Sequence, residues 1–152
     1  MEDVRSRLDD TGAVCAVPAW ARRVVSLVPS LTEAIELTRP GLLVGATDWC
    51  SHPAGLEVTR LRGTKNPDID RVVALRPDLV VANFEENRAS DIDALRRAGL
   101  PVWVTVVRTL PEAFTSLERM LAACGLAAPP WLRRARDAWS DVLGEPPPPA
   151  TP

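Results

Sequence analysis

Asp78-Leu79-Val80-Val81-Ala82 decides the fold of this 152-residue chain. The run is apolar without alternation and too short for a helix, so it reads as a strand buried on both faces. Arg76-Pro77 closes a helical run just before it. Two other segments repeat the setting. Val24-Val25-Ser26-Leu27-Val28 leads into the helix signals Pro29-Ser30-Leu31-Thr32-Glu33, and Pro101-Val102-Trp103-Val104-Thr105 follows a helical run that ends at Ala98-Gly99. Strand, loop, helix and strand in this order indicate a parallel sheet covered by helices. In such sheets ligands bind in the loops at the carboxyl ends of the strands. The search for function therefore narrows to a few loops.

Working outward, the pattern predicts a three-layer α/β fold: a mainly parallel four-stranded sheet, strands near 24–28, 42–46, 79–82 and 102–106, with helices on both faces. Ser30 and Glu33 have the spacing of a capping box, and that helix should end near Arg39-Pro40-Gly41. The loop over 47–67 should hold a turn of helix after Pro53. Asn66-Pro67-Asp68 starts the next helix, with Asn66 as its cap and Ile69, Val72 and Val73 inward. Ser90 opens a helix with Ile92, Leu95 and Ala98 inward. Thr109 and Glu112 form a second capping box, ahead of Phe114, Leu117, Leu121 and Cys124 on one face. A last helix over 131–143 carries Leu132, Ala135, Trp139 and Val142 on its apolar face. Gly63 and Gly99 should lie at turns. The organisation expected is a flexible arm over 1–21, an α/β unit over 22–128, an amphipathic helix over 129–144 and a Pro-rich tail over 145–152.

Composition sets limits on function. Hydrophobic residues are 46% and charged residues 25%, with a net charge of −2, so nothing steers the chain globally to nucleic acid or an anionic membrane. Cys15, Cys50 and Cys124 are odd in number and form no CxxC pair, which argues against a disulfide framework or a structural zinc site. No run of eighteen apolar residues is present, so no membrane span is expected. The start is acidic, and the apolar stretch over 13–21 is broken by Pro18. Without a basic start and an unbroken apolar centre, the sequence as written reads as cytoplasmic.

Catalytic motifs are missing: there is no GxSxG, no Walker A loop and no GxGxxG after the first strand. His52 is the one histidine, and its neighbour Ser51 is badly placed for a triad. Asp48, Cys50 and His52 are spaced two apart, a donor set that would suit a soft transition metal in an enzyme of doubly wound fold. The plainer reading makes Asp48 a turn cap, Cys50 a small apolar filler and His52 part of a bend before Pro53. Trp49 and Phe84 follow the second and third strands, where they would either wall a flat organic ligand or pack under a loop. Glu85-Glu86-Asn87-Arg88 shares that loop and reads as a solvated helix start.

Four pieces in order resemble the helical-backbone solute-binding proteins of ABC importers, the Fe/B12 periplasmic-binding family. They are Val24-Val25-Ser26-Leu27-Val28-Pro29-Ser30-Leu31-Thr32-Glu33, Val44-Gly45-Ala46-Thr47-Asp48-Trp49, Gly63-Thr64-Lys65-Asn66-Pro67-Asp68 and Leu75-Arg76-Pro77-Asp78-Leu79-Val80-Val81-Ala82-Asn83. The resemblance covers roughly residues 22 to 145 and is nearest to the vitamin B12 receptor branch. It implies two α/β lobes joined by a long helix, with the ligand between them, and makes 22–128 the N-terminal lobe and the last helix the start of the bridge. Trp49 matches an aromatic ligand-contacting position. A second such position holds Asn83 here, with Phe84 next. With Lys65, these four are the ligand-binding candidates, expected in one shallow concavity on one sheet edge. Asp68 matches a carboxylate that docks on permease arginines.

The implied activity is binding without catalysis. The implied ligand is a cobalamin-like corrinoid, with haem or a ferric siderophore as the alternative, and no intrinsic cofactor or metal is implied. An ABC permease is the implied partner. Where a second lobe would follow, the sequence turns to proline, so the chain reads as a fragment, a frameshifted reading or a single-lobe derivative. A truncated product without activity is a further reading.

Overall fold

The computed structural model describes residues 3–143, with side chains through Ser140. The expectations for the Pro-rich tail and for the Val142 side chain lie outside the described residues. In chain order the elements are β1 (Val4–Leu8), β2 (Val14–Pro18), β3 (Val24–Ser26), α1 (Pro29–Thr38), β4 (Leu43–Ala46), β5 (Thr59–Arg60), β6 (Arg62–Gly63), β7 (Asn66–Pro67), α2 (Ile69–Ala74), β8 (Leu79–Asn83), α3 (Ala89–Arg97), β9 (Val102–Thr105), α4 (Leu110–Ala123) and α5 (Pro130–Leu143).

The main sheet is parallel and runs β5-β4-β3-β8-β9. It has five strands where four were expected. The fifth, Thr59–Arg60, is two residues long and pairs with Gly45 and Ala46, too short to leave a hydrophobic signature. From β3 the chain steps outward to β4 and β5, then returns to lay β8 on the other side of β3. Parallel crossovers are right-handed, so reversing direction puts α1 on one face and α2 and α3 on the other. α4 packs on α1 and α5 on α4, while α2 packs on α3. The carboxyl ends of β3 and β8 diverge at this reversal, the position where doubly wound sheets open a crevice.

The core lies between these layers. Val24, Val25, Leu27 and Leu79 through Ala82 are fully buried, joined by Ile35 of α1, Leu95 of α3, Met120 and Leu121 of α4 and Leu132 of α5. Trp103 of β9 is 1% exposed, with the Arg119 guanidinium 5.5 Å from its ring centroid. Such a contact is attractive because the cation meets the electron-rich ring face.

Residues 4–18 correct the expected flexible arm. They form an antiparallel hairpin, β1 paired with β2, and Cys15 and Val17 project from it into the core. Its corner is fixed by two aspartates. Asp9 Oδ1 accepts Thr11 N–H and Ala13 N–H, while Asp9 Oδ2 accepts Val104 N–H and lies 3.4 Å from Arg96 Nη2. Asp10 accepts Val106 N–H (3.0 Å) and the Ser116 hydroxyl, and pairs with Arg119 at 2.6 Å. Asp10 N–H donates to Val104 O. The hairpin corner thus covers the edge strand β9, whose N–H groups would otherwise lack partners.

Helix starts differ in detail from the sequence reading. α1 begins a residue before Ser30, because Pro29 takes the first turn, where its fixed φ fits and its missing N–H costs nothing. Val28 is therefore the N-cap, and the Ser30–Glu33 box does not form. Asn66 is held in the β6–β7 hairpin, where its Oδ1 accepts Gly63 N–H, so Asp68 caps α2 instead. Gly63 accordingly lies in a strand beside the Thr64-Lys65 turn, whereas Gly99 does turn the chain, at φ +86°. Thr109 caps α4 as expected, but Glu112 reaches back to Arg108 N–H rather than to Thr109 N–H. Arg88 is the residue before α3, so Ser90 falls inside it. Val73 and Ala98 are exposed, and residues after Pro53 form a turn rather than helix.

Candidate functional site

The carboxyl ends of β3, β4, β8 and β9 share one edge of the sheet, and the loops that leave them build a single face. The loop after β4 carries Trp49. Its backbone is fixed from below: Cys50 is fully buried, with its thiol 2.9 Å from Thr32 Oγ1 and 3.1 Å from Thr47 Oγ1. Arg60 Nη1 donates to Thr47 O and Cys50 O, and Asp48 N–H donates to Arg62 O. Anchored on both sides, the loop pushes Trp49 outward, where it is 71% exposed. Its indole lies beside Gly63: a Cβ there would be 3.5 Å from Trp49 Nε1 and would collide with Asn66 Oδ1.

The loop after β8 carries Phe84, 56% exposed. Asn83 shapes this loop. Its Oδ1 accepts Glu85 N–H and Glu86 N–H, and its Nδ2 donates to Thr105 Oγ1. Both ends of the amide are occupied by the protein, as in an Asx turn. Lys65, at the tip of the β6–β7 hairpin, reaches across to donate from Nζ to Glu85 O at 2.5 Å. Trp49, Lys65, Asn83 and Phe84 therefore come from three loops at one edge, and both aromatics stand clear of the core.

Asp48, Cys50 and His52 do not converge. Cys50 points into the core, whereas Asp48 and His52 are exposed, with Ser51 Oγ 3.2 Å from His52 Nδ1. Alternation in an extended loop would have put all three on one side, but the Thr47–Cys50 turn, closed by Cys50 N–H to Thr47 O, breaks it. Among the described residues no group of three or more His, Cys, Asp or Glu side chains is placed to hold a metal ion. The metal-enzyme reading loses its site on this geometry.

Asp68 lies at the first turn of α2, capping Arg71 N–H at 3.1 Å, with its other oxygen 3.7 Å from Arg71 Nε. Its side chain is 23% exposed. Two residues that hold the face escaped the sequence reading: Arg60 and Asn87. Asn87 is 3% exposed in a stretch that reads as solvated, and its only local signal was a polar amide four residues after the strand end. A separate groove of about 550 Å³ lies at the opposite, amino end of the sheet, lined by Val4, Val14, Asp78, Arg96 and Leu100 among others. It is remote from the aromatic face. No helix among the described residues is long and apolar enough to cross a membrane.

No protein-family model matches the sequence. The chain is similar to the vitamin B12-binding protein of Vibrio cholerae, 28% identical over 112 residues, which cover 72% of this chain and 41% of that protein. It is 30% identical over 109 residues to an ABC transporter substrate-binding lipoprotein of Bacillus subtilis, covering 68% of this chain and 34% of the relative. The crystal structure of the periplasmic vitamin B12-binding protein of Vibrio cholerae superposes with a TM-score of 0.66 at 26% identity, over 82% of this chain and 49% of that one. The matches thus span less than half the length of each of these proteins.

Proposed function

Since this chain belongs to the helical-backbone periplasmic solute-binding proteins of ABC importers and corresponds to their N-terminal lobe, we propose that it presents one side of a binding site for a cobalamin-like corrinoid. The observation that carries the reading is the pair of outward aromatics, Trp49 and Phe84, on the carboxyl edge of a parallel sheet. Exposed aromatics on an anchored backbone cost little ordering entropy when a flat macrocycle lands on them. Trp49 and Phe84 supply the apolar contact, Lys65 the charged rim, and Asn83 acts by shaping the Phe84 loop. The activity is capture and hand-over of a small molecule, without a reaction and without a resident cofactor.

The proposed partner is an ABC permease, and Asp68 is the proposed docking carboxylate. It would have to exchange its contact with Arg71 for a permease arginine, and at 3.7 Å that contact is loose enough to exchange. The proposed place of action is the periplasm or cell surface, following the periplasmic and lipoprotein designations of the relatives. This departs from the cytoplasmic expectation drawn from the first residues.

The test is an absorbance titration of the purified chain with hydroxocobalamin, haemin and a ferric catecholate siderophore. A saturable hydroxocobalamin response, with a dissociation constant weaker than about 1 µM because one lobe covers only one side of the ligand, supports the reading. Preference for haemin or the siderophore reassigns the ligand within the family. No response to any of the three refutes a retained binding role.

A further inference from the structure

Doubly wound sheets usually leave a crevice where the strand order reverses. Here that point lies between the carboxyl ends of β3 and β8, and a single side chain closes it. Asn87 is 3% exposed. Its Nδ2 donates to Leu27 O at the end of β3 (3.2 Å) and to Thr64 O in the β6–β7 turn (3.0 Å). Its Oδ1 accepts Asn83 N–H at the end of β8 (2.9 Å). Both amide hydrogens and the amide oxygen have partners, which join segments 60 and 23 residues away in sequence. The amide orientation is fixed by chemistry: reversed, its oxygen would face two carbonyls and its NH2 would face an N–H.

We propose that Asn87 is the positioning residue of the aromatic face, setting the spacing of Trp49 and Phe84 by locking the β6–β7 hairpin to the ends of β3 and β8. This rests on the ligand-binding reading of that face. The hairpin is the middle link. On one side its Arg62 O accepts Asp48 N–H, which fixes the Trp49 loop. On the other, Thr64 O and Lys65 Nζ hold the Phe84 loop through Asn87 and Glu85. Of the two ties on the Phe84 side, that of Lys65 is exposed and open to water, whereas that of Asn87 to Thr64 is partly buried and is made by an amide whose second hydrogen is held in a buried bond to Leu27 O. In a buried site an amide hydrogen bond is both stronger and costlier to leave unmade. With the Asn87 amide filling the crevice, a ligand on this edge would lie on the outer face, against the two aromatics.

Asn87→Asp tests this at constant size. The carboxylate keeps an acceptor for Asn83 N–H but has no hydrogen for Leu27 O or Thr64 O. Amide hydrogen exchange should then speed up about tenfold or more in residues 62–66 and 83–86, while β4 and β9 keep their protection. Hydroxocobalamin affinity should fall by about tenfold as well, with the sheet still folded. Unchanged exchange in those two segments, or an even loss across the whole sheet, would overturn the proposal. Should the variant not fold, the unaltered chain decides: both Asn87 Nδ2 hydrogens must exchange slowly and show through-bond coupling to the Leu27 and Thr64 carbonyls, and fast exchange of that NH2 group overturns it. The exchange measurements need no ligand. A chain that fails to bind hydroxocobalamin therefore defeats the functional reading, while the lock made by Asn87 still stands or falls on exchange alone.

Discussion

Asp9 accepts the backbone N–H of Val104 through Oδ2 at 3.2 Å, so a side chain at the hairpin corner stands where a sixth strand would pair with β9. The next N–H on that side, Val106, goes to Asp10 in the same way. A parallel sheet with a bare edge invites pairing with another chain, and two carboxylates block it here without adding a strand that could itself be extended.

The first prediction follows from that contact. Asp9 is 3% exposed and sits 3.4 Å from Arg96. Asp9→Ala leaves Val104 N–H without a partner and the guanidinium without its counter-charge. Because the Arg96 side chain is 35% exposed and can turn to water, the cost is chiefly that of the buried N–H groups left unpaired, about 1–3 kcal/mol. Urea denaturation should show a loss in that range, with a greater tendency to aggregate. A loss below about 1 kcal/mol would mean that water or a rearranged edge replaces the carboxylate.

The aromatic face predicts the opposite pattern. Trp49 and Phe84 are 71% and 56% exposed, so Trp49→Ala and Phe84→Ala should each change stability by no more than about 0.5 kcal/mol. Each should weaken hydroxocobalamin binding by about tenfold, the loss of a large aromatic contact. If either substitution instead lowers stability by about 2 kcal/mol or more, that residue belongs to packing and not to a ligand surface.

These contrasts show what the sequence could reveal. Strands buried on both faces, such as Leu79–Ala82, announce themselves because their neighbours are supplied by the fold as a whole and every position must be apolar. The positions of Trp49 and Phe84 followed from strand ends alone. The hairpin β1–β2 stayed hidden because its order depends on Asp9 and Asp10 reaching Val104, Val106 and Arg119, roughly a hundred residues on. Asn87 stayed hidden for the same reason: a buried amide and a solvated one look alike until the carbonyls of Leu27 and Thr64 are placed beside it. The Asp48, Cys50 and His52 spacing makes no shared donor set because the Thr47–Cys50 turn, tied down by Arg60, rotates the thiol inward, in line with the plainer reading of Cys50 as a small apolar filler.

Burial pushes the Cys124 thiol up to about 12 from its ordinary 9.0, with the Asp78 charge adding to the effect. Burial raises Cys15 to about 11, with Asp9 adding and Arg96 opposing. Both thiols stay protonated in the fold past the pH at which an unfolded chain releases them. Their contribution is whole below pH 9.0 and is lost as pH climbs toward 11 and 12, because the unfolded state then binds fewer protons than the native one. Stability should fall by roughly 1.4 kcal/mol per pH unit for each thiol over that window. Comparing denaturation at about pH 8 and about pH 10.5, the Cys124→Ala variant should show a shallower fall. An equal slope would mean that Cys124 ionises as freely in the fold as outside it.

α5 divides into a packed start and an open end. Leu132 is 1% exposed, while Trp139, two turns on, is 46% exposed. Trp131 Nε1 also donates to Thr38 Oγ1 of α1, which fixes the start against the first layer. Leu132→Ala should cost about 2–4 kcal/mol, and Trp139→Ala about 0.5 kcal/mol or less. Equal costs in thermal or chemical unfolding would show that the far end of α5 is packed as tightly as its start.

The last prediction separates two ways in which a glycine is needed. Gly99 and Gly125 both end helices in the left-handed region, at φ +86° and +80°. A Cβ on Gly99 meets nothing within 4 Å, so Gly99→Ala carries only the cost of that backbone conformation, about 1–2 kcal/mol. A Cβ on Gly125 would collide with Ala19 O and lie 2.9 Å from Trp20 Cα, both main-chain atoms. Neither can rotate away. The strand exit is also tied there by Ala21 N–H to Cys124 O at 3.0 Å. Gly125→Ala must therefore add displacement of the segment joining β2 to β3 to the same conformational cost. It should destabilise by at least about 1 kcal/mol more than Gly99→Ala in parallel urea titrations. The excess should vanish if the hairpin is first loosened by Asp9→Ala, since the segment is then free to move aside. Equal effects of the two glycine substitutions in the unaltered background would show that the chain at Ala19 does not press on the end of α4.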